Sequence, residues 1–413
     1  MLRRSLLLAT LAVALVGGAP AAEAQVAGAN HAASPAGHLA FVTQGNGSRS
    51  TLRIVSPEGV VGAPEEIGET FDTPEVAVGA RGDAVVAWID HRRLWARYRP
   101  AGGVLGPAEL VTRSASTDIE SLPLAVDAAG AVTTAWAPES GRGGLHVRTR
   151  DPVSGWGPVQ ALGGIDVFRP KLALAGNGNA VIAWAQHKRR DRDGSQIAVA
   201  SRLGTAPFGR PTVVVGVQHD PDYGRIAAND EGDAAIVWIV SEERRKPGDV
   251  EFSIHGVFSR AGGAFGRPVT LSRVKEATTP LVAVQPSGRM ILAWRDNSTH
   301  RVEARVRAPG GVLGRPRILT HDLDLNTGPT PLSAGRGVVA WNDYDRKARQ
   351  RVIRFAQATD DGHFGPATVI ARVRDTFYDP AFAVSPQGLS VVAIPPFAPD
   401  DPVAWQRVAV PAR

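Results

Sequence analysis

A short run of small apolar residues ending in a large one recurs along the chain. It reads Asp83-Ala-Val-Val-Ala-Trp88, Ala131-Val-Thr-Thr-Ala-Trp136, Ala180-Val-Ile-Ala-Trp184, Ala234-Ala-Ile-Val-Trp238, Met290-Ile-Leu-Ala-Trp294, Gly337-Val-Val-Ala-Trp341 and Ser390-Val-Val-Ala-Ile394, with a weaker copy at His38-Leu-Ala-Phe-Val-Thr43. Such runs predict strands buried on both faces. Each is preceded by a shorter apolar segment, often after a proline, as in Pro74-Glu-Val-Ala-Val78 and Pro280-Leu-Val-Ala-Val284. A tight glycine turn, as in Arg81-Gly82-Asp83 or Glu231-Gly232-Asp233, joins the two. The segment after the run alternates, as in Trp95-Ala-Arg-Tyr-Arg99 and Arg301-Val-Glu-Ala-Arg-Val-Arg307, which predicts a strand with one wet face. A second glycine-rich turn leads to a fourth strand, as in Gly103 to Leu110 and Gly311 to Leu319. No stretch carries sustained helical periodicity.

The repeat length averages about 51 residues, close to that of a propeller blade. Four strands per repeat, with the buried pair first and the amphipathic strand later, predict an all-β fold, a β-propeller of four-stranded blades. Eight copies of the first three strands and seven of the fourth predict eight blades with an irregular closure; seven blades is the alternative. A β-solenoid is disfavoured because its rungs are shorter. No break in composition follows residue 25, so residues 25–413 read as one domain. Residues 1–24 read as a secretory signal peptide: Met1-Leu2-Arg3-Arg4 is charged, the chain is apolar from Leu6 to Val16, and Ala22-Glu23-Ala24 supplies a small-residue cleavage site. The apolar core is too short to cross a bilayer. The expected localisation is secreted, extracytoplasmic.

The 413 residues include no cysteine, which excludes disulfides, thiolate metal sites and cysteine catalysis. Lys and Arg number 46 against 40 Asp and Glu, a formal excess of +6. That balance suits a glycan or other polyanion as partner without requiring one; no nucleic-acid partner and no membrane span are expected, and the expected state is a monomer.

The charge is not evenly placed. Loops between the second and third strands carry Arg92, Arg93, Arg189, Arg190, Arg244, Arg245 and Arg346. Loops that lead into the first strand of each repeat carry Asp72, Asp166, Asp220, Asp222 with Tyr223, and Asp375 with Tyr378. In a propeller these two loop sets share one face, so an acidic centre within a basic rim is the candidate binding surface. Solvated loops, charged for solubility, are the competing reading. The tryptophans fit packing between blades, and Arg81-Gly82-Asp83 fits turn chemistry.

Catalytic motifs are absent. No Gly-x-Ser-x-Gly elbow and no phosphate loop occur, and no pair of acids for glycoside hydrolysis can be picked from sequence. Asp322, Asp324 and Asn326 have the alternate spacing of a calcium loop, so calcium is the one candidate cofactor.

The turn Ala358-Thr-Asp360-Asp-Gly362-His-Phe364 resembles a degenerate Asp-box, the Ser-x-Asp-x-Gly-x-Thr-Trp turn of sialidase-like propellers. Asp360 and Gly362 match, whereas the Ser and Thr-Trp positions do not. The resemblance implies a propeller with this turn between its third and fourth strands. It implies no catalysis, because the box is structural in that family. Phe168-Arg169-Pro170 lacks the isoleucine of the family's Arg-Ile-Pro motif, so no catalytic residue is carried over. The sequence therefore supports a non-catalytic binding propeller first, a glycan-cleaving hydrolase or lyase second, and a protein-interaction scaffold third.

Overall fold

A computed structural model of the chain describes residues 28–44, 48–115, 122–137, 144–188, 191–218, 222–243, 250–276, 280–321, 332–335, 337–345, 347–348, 350–359, 361–374, 381–384, 389–394 and 404–409. The expected signal peptide lies outside them. Among the described residues there is no helix, and eight antiparallel sheets follow one another along the chain. Blade 1 is β1 (Gly28–Ala33), β2 (Leu39–Gln44), β3 (Arg49–Val55) and β4 (Glu65–Glu69). Blade 2 is β5 (Glu75–Val78), β6 (Ala84–Asp90), β7 (Arg93–Arg99) and β8 (Ala108–Thr112). Blade 3 is β9 (Leu124–Val126), β10 (Val132–Trp136) and β11 (Leu145–Asp151), with its outer strand split into β12 (Gly155–Trp156) and β13 (Gln160–Gly163). Blade 4 is β14 (Phe168–Leu174), β15 (Ala180–Lys188), β16 (Asp191–Arg202) and β17 (Thr212–Gln218). Blade 5 is β18 (Asp222–Ala228), β19 (Ala234–Glu243), β20 (Val250–Ser259) and β21 (Val269–Val274). Blade 6 is β22 (Leu281–Val284), β23 (Met290–Asp296), β24 (Arg301–Arg307) and β25 (Arg317–Thr320). Blade 7 is β26 (Leu332–Gly335), β27 (Val338–Asp345), β28 (Gln350–Gln357) and β29 (Thr368–Arg374). The last sheet has three strands, β30 (Ala381–Val384), β31 (Leu389–Ile394) and β32 (Ala404–Ala409).

The first strands lie innermost, each against the next, and β30 returns to β1. The fold is a β-propeller. Register explains the small residues of these strands. Ala32, Ala77, Ala125, Ala173, Ala227, Ala283, Gly335 and Ala383 each pair with the residue three before the end of the neighbouring apolar run. They therefore form one level around the axis, where the first strands converge.

The tryptophans fill the spaces between blades, as their spacing suggests. Trp136, Trp184, Trp238, Trp294 and Trp341 are buried, each in a cluster shared with the preceding blade. The residue just after the glycine-rich turn joins from the same side: Leu105, Trp156, Phe208, Phe265, Leu313 and Phe364 all enter these clusters. The Asp-box-like turn lies between β28 and β29, as its resemblance implies; Gly362 is left-handed (φ 84°), while Asp360 is outside the described residues.

Arginine is the second inter-blade element. Arg97 donates to the carbonyl of Gly106 in its own turn (2.6 Å) and to Glu66 and Ile67 of blade 1 (2.8 Å each). Arg148 repeats this with Gly157 and Val111 (2.6 Å each), and Arg305 with Gly314 (2.7 Å) and Leu271 (2.6 Å). Burial lowers the basicity of Arg148 and Arg305. Two residues on, Arg150 forks onto the Glu109 carboxylate at 2.8 and 2.9 Å while its guanidinium stacks on Tyr98. Fixed bidentate geometry of this kind is what lysine cannot supply. Arg97, Arg148, Arg150 and Arg305 are thus committed to holding blades together.

The turns between first and second strands lock the opposite face. Arg81 donates to Ala129 (2.6 Å), Ala128 N–H to Gly176 (2.9 Å), Asn177 to Asp230 (2.7 Å) and Asn229 to Gln285 (2.8 Å), each step reaching the next blade. Asp83 is buried in this ring. Its burial opposes ionisation, but donation from Tyr98 O–H (2.7 Å), Arg81 and the Ala101 N–H outweighs that and holds the carboxyl below its ordinary value. Arg81 is half-exposed and contributes little, so the Tyr98 and Ala101 bonds carry the effect. A depressed folded-state pKa gives stability that is present above the unfolded value, about 3.9, and is lost as pH falls through the folded value. Asp83→Asn should cost about 1–3 kcal/mol at pH 7. Urea melts of parent and variant should converge as pH falls through the folded-state value of the Asp83 carboxyl.

Candidate functional site

Six of the recurring runs end in tryptophan, and the residue paired with that tryptophan on the third strand varies among the blades. It is Trp95 opposite Trp88, His146 opposite Trp136, His255 opposite Trp238, Glu303 opposite Trp294 and Arg354 opposite Trp341. Opposite Trp184 it is Ala198. In blades 3 and 5 the imidazole packs on the indole, edge-on at 5.8 Å for His146 and stacked at 5.6 Å for His255. In blade 4 a methyl group stands there instead, and a cleft of about 310 Å³ opens between blades 3 and 4.

Leu162, Gly164 and Ile165 line the cleft from the blade 3 side, and Trp184, Gln186, His187, Gln196, Ala198, Pro211, Thr212 and Val213 from blade 4. Register shifts in the β16–β17 pairing at Ser195/Ile197 and Ile197/Ala198 re-aim this part of the wall. The Trp184 indole N–H donates to Gln186 Oε1 at 2.9 Å, which fixes that amide. The His187 ring lies 5.2 Å from Phe168, and the His187 backbone N–H donates to Ile165 at 3.2 Å. Gly164 is left-handed (φ 109°), and a Cβ there would stand 2.8 Å from Gln186 Oε1 and 3.0 Å from Trp184 Nε1. Any side chain at 164 therefore fills the cleft floor.

The chemistry is neutral. Amides at Gln186 and Gln196, an imidazole and a hydroxyl at Thr212 offer donors and acceptors. Leu162, Ile165, Ala198, Pro211 and Val213 offer apolar wall. No carboxylate, lysine or arginine lines it. Such a surface matches a ligand that is hydroxylated on its edges and apolar on its faces.

The residues singled out from sequence fall around this site unevenly. Asp166 is exposed with positive φ (47°), two residues beyond Gly164, in the loop that bounds the cleft. Asp72 is exposed between β4 and β5. His91 and Arg92 (φ 46° and 69°) form a two-residue hairpin turn closed by the Asp90–Arg93 pair, so this connection is a tight turn and not a long loop. Asp222 and Tyr223 lie on inner strand β18 and not on a loop. Arg189, Arg190, Arg244, Arg245, Arg346, Asp220, Asp375 and Tyr378 lie outside the described residues, as do Asp322, Asp324 and Asn326, so the calcium reading is not addressed by the geometry. The described residues contain no cluster of three or more metal-ligating side chains. Sequence reasoning missed Gly164, Gln186, His187, Gln196 and Ala198. Its available signal was the Gly163-Gly164 pair, unusual at the end of a strand.

No family model matches the chain, and no curated protein matches it. Solved structures do. The BP39L lectin from Burkholderia pseudomallei superposes with a TM-score of 0.51 at 10% identity, over 84% of this chain and 100% of that one. A fucose-specific lectin from Aleuria aurantia gives 0.39 at 9% identity over 85% and 97%. A streptogramin B lyase gives 0.41 at 12% identity over 77% and 89%. At such identities the first of these speaks to the fold alone, and by fold this chain is similar to a propeller-type lectin.

Proposed function

We propose that this chain is an exported carbohydrate-binding propeller that holds an uncharged sugar residue in the cleft between blades 3 and 4. The observation that carries the reading is the small side chain at Ala198, which leaves a neutral, half-apolar, amide-lined cleft where blades 3 and 5 pack an imidazole on the tryptophan. The similarity in fold to a propeller lectin supports it. The reading accounts for the local glycine as well, since only glycine leaves the cleft floor open. A polyanion held by exposed arginines such as Arg92 and Arg93 is the second form of the same function.

A glycan array read at low and at moderate salt separates the two. Sugar held by neutral amides should bind equally at both. Polyanion binding falls steeply with ionic strength, so signals confined to acidic glycans and lost with salt would move the site from the cleft to cationic side chains, and Arg92→Ala with Arg93→Ala then tests the loop arginines. Release of reducing ends from an array hit would instead support the hydrolase or lyase alternative. Within the cleft, Gly164→Val should reduce binding at least tenfold, about 1.4 kcal/mol, with circular dichroism confirming retained strand content.

A further inference from the structure

The inner strands carry a second feature, one level above the alanine ring and towards the loops that lead into them. Glu75 pairs with Ala87, Lys171 with Ala183, Arg225 with Val237 and Leu281 with Ala293, each the residue just before the tryptophan. Asn30 of β1 holds the matching place opposite Val42. Glu75, Lys171 and Arg225 thus stand at one height on blades 2, 4 and 5. Blade 3 separates blade 2 from the others, yet Glu75 interacts electrostatically with both cations. Register sets all three at one level of the innermost strands, which close around the axis.

Arg225 is open to solvent, whereas its surroundings desolvate it enough to lower its basicity against the pull of Glu75. Burial likewise raises Glu75, against both cations. A group that water reaches but cannot fully solvate is what a narrow channel produces. Leu281 adds an apolar wall, and the Asn30 amide donates to the Pro74 carbonyl at 3.0 Å, beside Glu75.

We propose that this axial chamber is a second binding site, distinct from the inter-blade cleft, that receives the carboxylate of a small organic acid between Lys171 and Arg225. Two cations against one carboxylate leave a single positive charge among the three, which a monoanionic carboxylate neutralises. A dianionic phosphate would leave excess negative charge in a desolvated space. Guanidinium binds carboxylate through paired N–H donors, and Glu75 orients Arg225 while remaining available to accept from a hydroxyl of the same ligand.

The carboxylate has two sources, a free acid or a uronic acid unit of a glycan. Calorimetric titration of the full chain with glucuronate, lactate and glucose distinguishes them. The expected result is binding of glucuronate without glucose. Lactate binding equally well assigns the site to organic acids generally, and its failure to bind assigns it to the sugar acid. Arg225→Gln should weaken glucuronate about tenfold, the usual scale of one charge-assisted contact. Glu75→Gln, which removes the competing carboxylate, should tighten it. Ala198→His, which blocks the cleft, should leave it unchanged, so failure here and failure of the cleft are read separately. Opposite signs for two neutralising changes at one height cannot come from loosened folding. Absence of binding by either acid, or glucuronate binding that Arg225→Gln leaves intact or Glu75→Gln weakens, overturns the proposal.

Discussion

Ala198→His should abolish glycan binding while leaving stability within about 1 kcal/mol of the parent, the range of a tolerated change in a site with room. The substitution introduces nothing foreign to the fold. Blades 3 and 5 already hold histidine at this register, packed against their own tryptophans. The imidazole would occupy the space over Trp184 that the ligand needs. Overpacking normally costs about 1–3 kcal/mol because a filled core must strain to admit new atoms, but here a cleft of about 310 Å³ receives them. The expected pair of results is therefore an unchanged urea midpoint and a glycan affinity too weak to measure. A variant that binds as well as the parent places the ligand elsewhere.

Trp238→Ala is expected to have the opposite character, a loss of about 3–5 kcal/mol in unfolding free energy. Trp238 is fully buried between blades 4 and 5, within a cluster that includes Val181, Ala183, Ile197, Val215 and Val257. Its neighbours are strand residues fixed by ladder hydrogen bonds, so they cannot collapse into the void, and the cavity term stays large. His255 would also lose the ring on which it stacks. Chemical denaturation measures the loss, and a cost below about 1.5 kcal/mol would mean the blades tolerate sliding to fill the gap. Trp88 provides an internal comparison. It is only half-buried, so Trp88→Ala should cost less than Trp238→Ala in the same assay.

The two substitutions also show what the chain discloses directly. The buried runs and their tryptophans are read from local pattern, because a strand covered on both faces has no polar residue to interrupt it. The alternation Trp95-Ala-Arg-Tyr-Arg99 likewise marks β7 correctly, yet it suggests wet arginines. Arg97 instead reaches carbonyls in blade 1, a partner about thirty residues away that periodicity cannot name. The cleft is less legible still. Ala198 looks ordinary within Ala198-Val-Ala-Ser-Arg202, and it becomes conspicuous only once register sets it opposite Trp184, beyond two shifts in the neighbouring pairing. Gly163-Gly164 carried a local clue, but the reason for glycine at 164 lies in blade 4, where Gln186 and Trp184 approach. The axial trio shares this difficulty, since Glu75, Lys171 and Arg225 are brought together only by the closure of the inner strands.

Indole N–H resonances give the most direct test of the cleft. The chain has nine tryptophans, and Trp184→Phe identifies the signal of Trp184. Titrating the full chain with a glycan selected on the array should shift that one resonance strongly, because the Gln186 amide that accepts from the Trp184 N–H lines the cleft. Saturable binding that leaves the Trp184 signal in place while moving others would contradict the account.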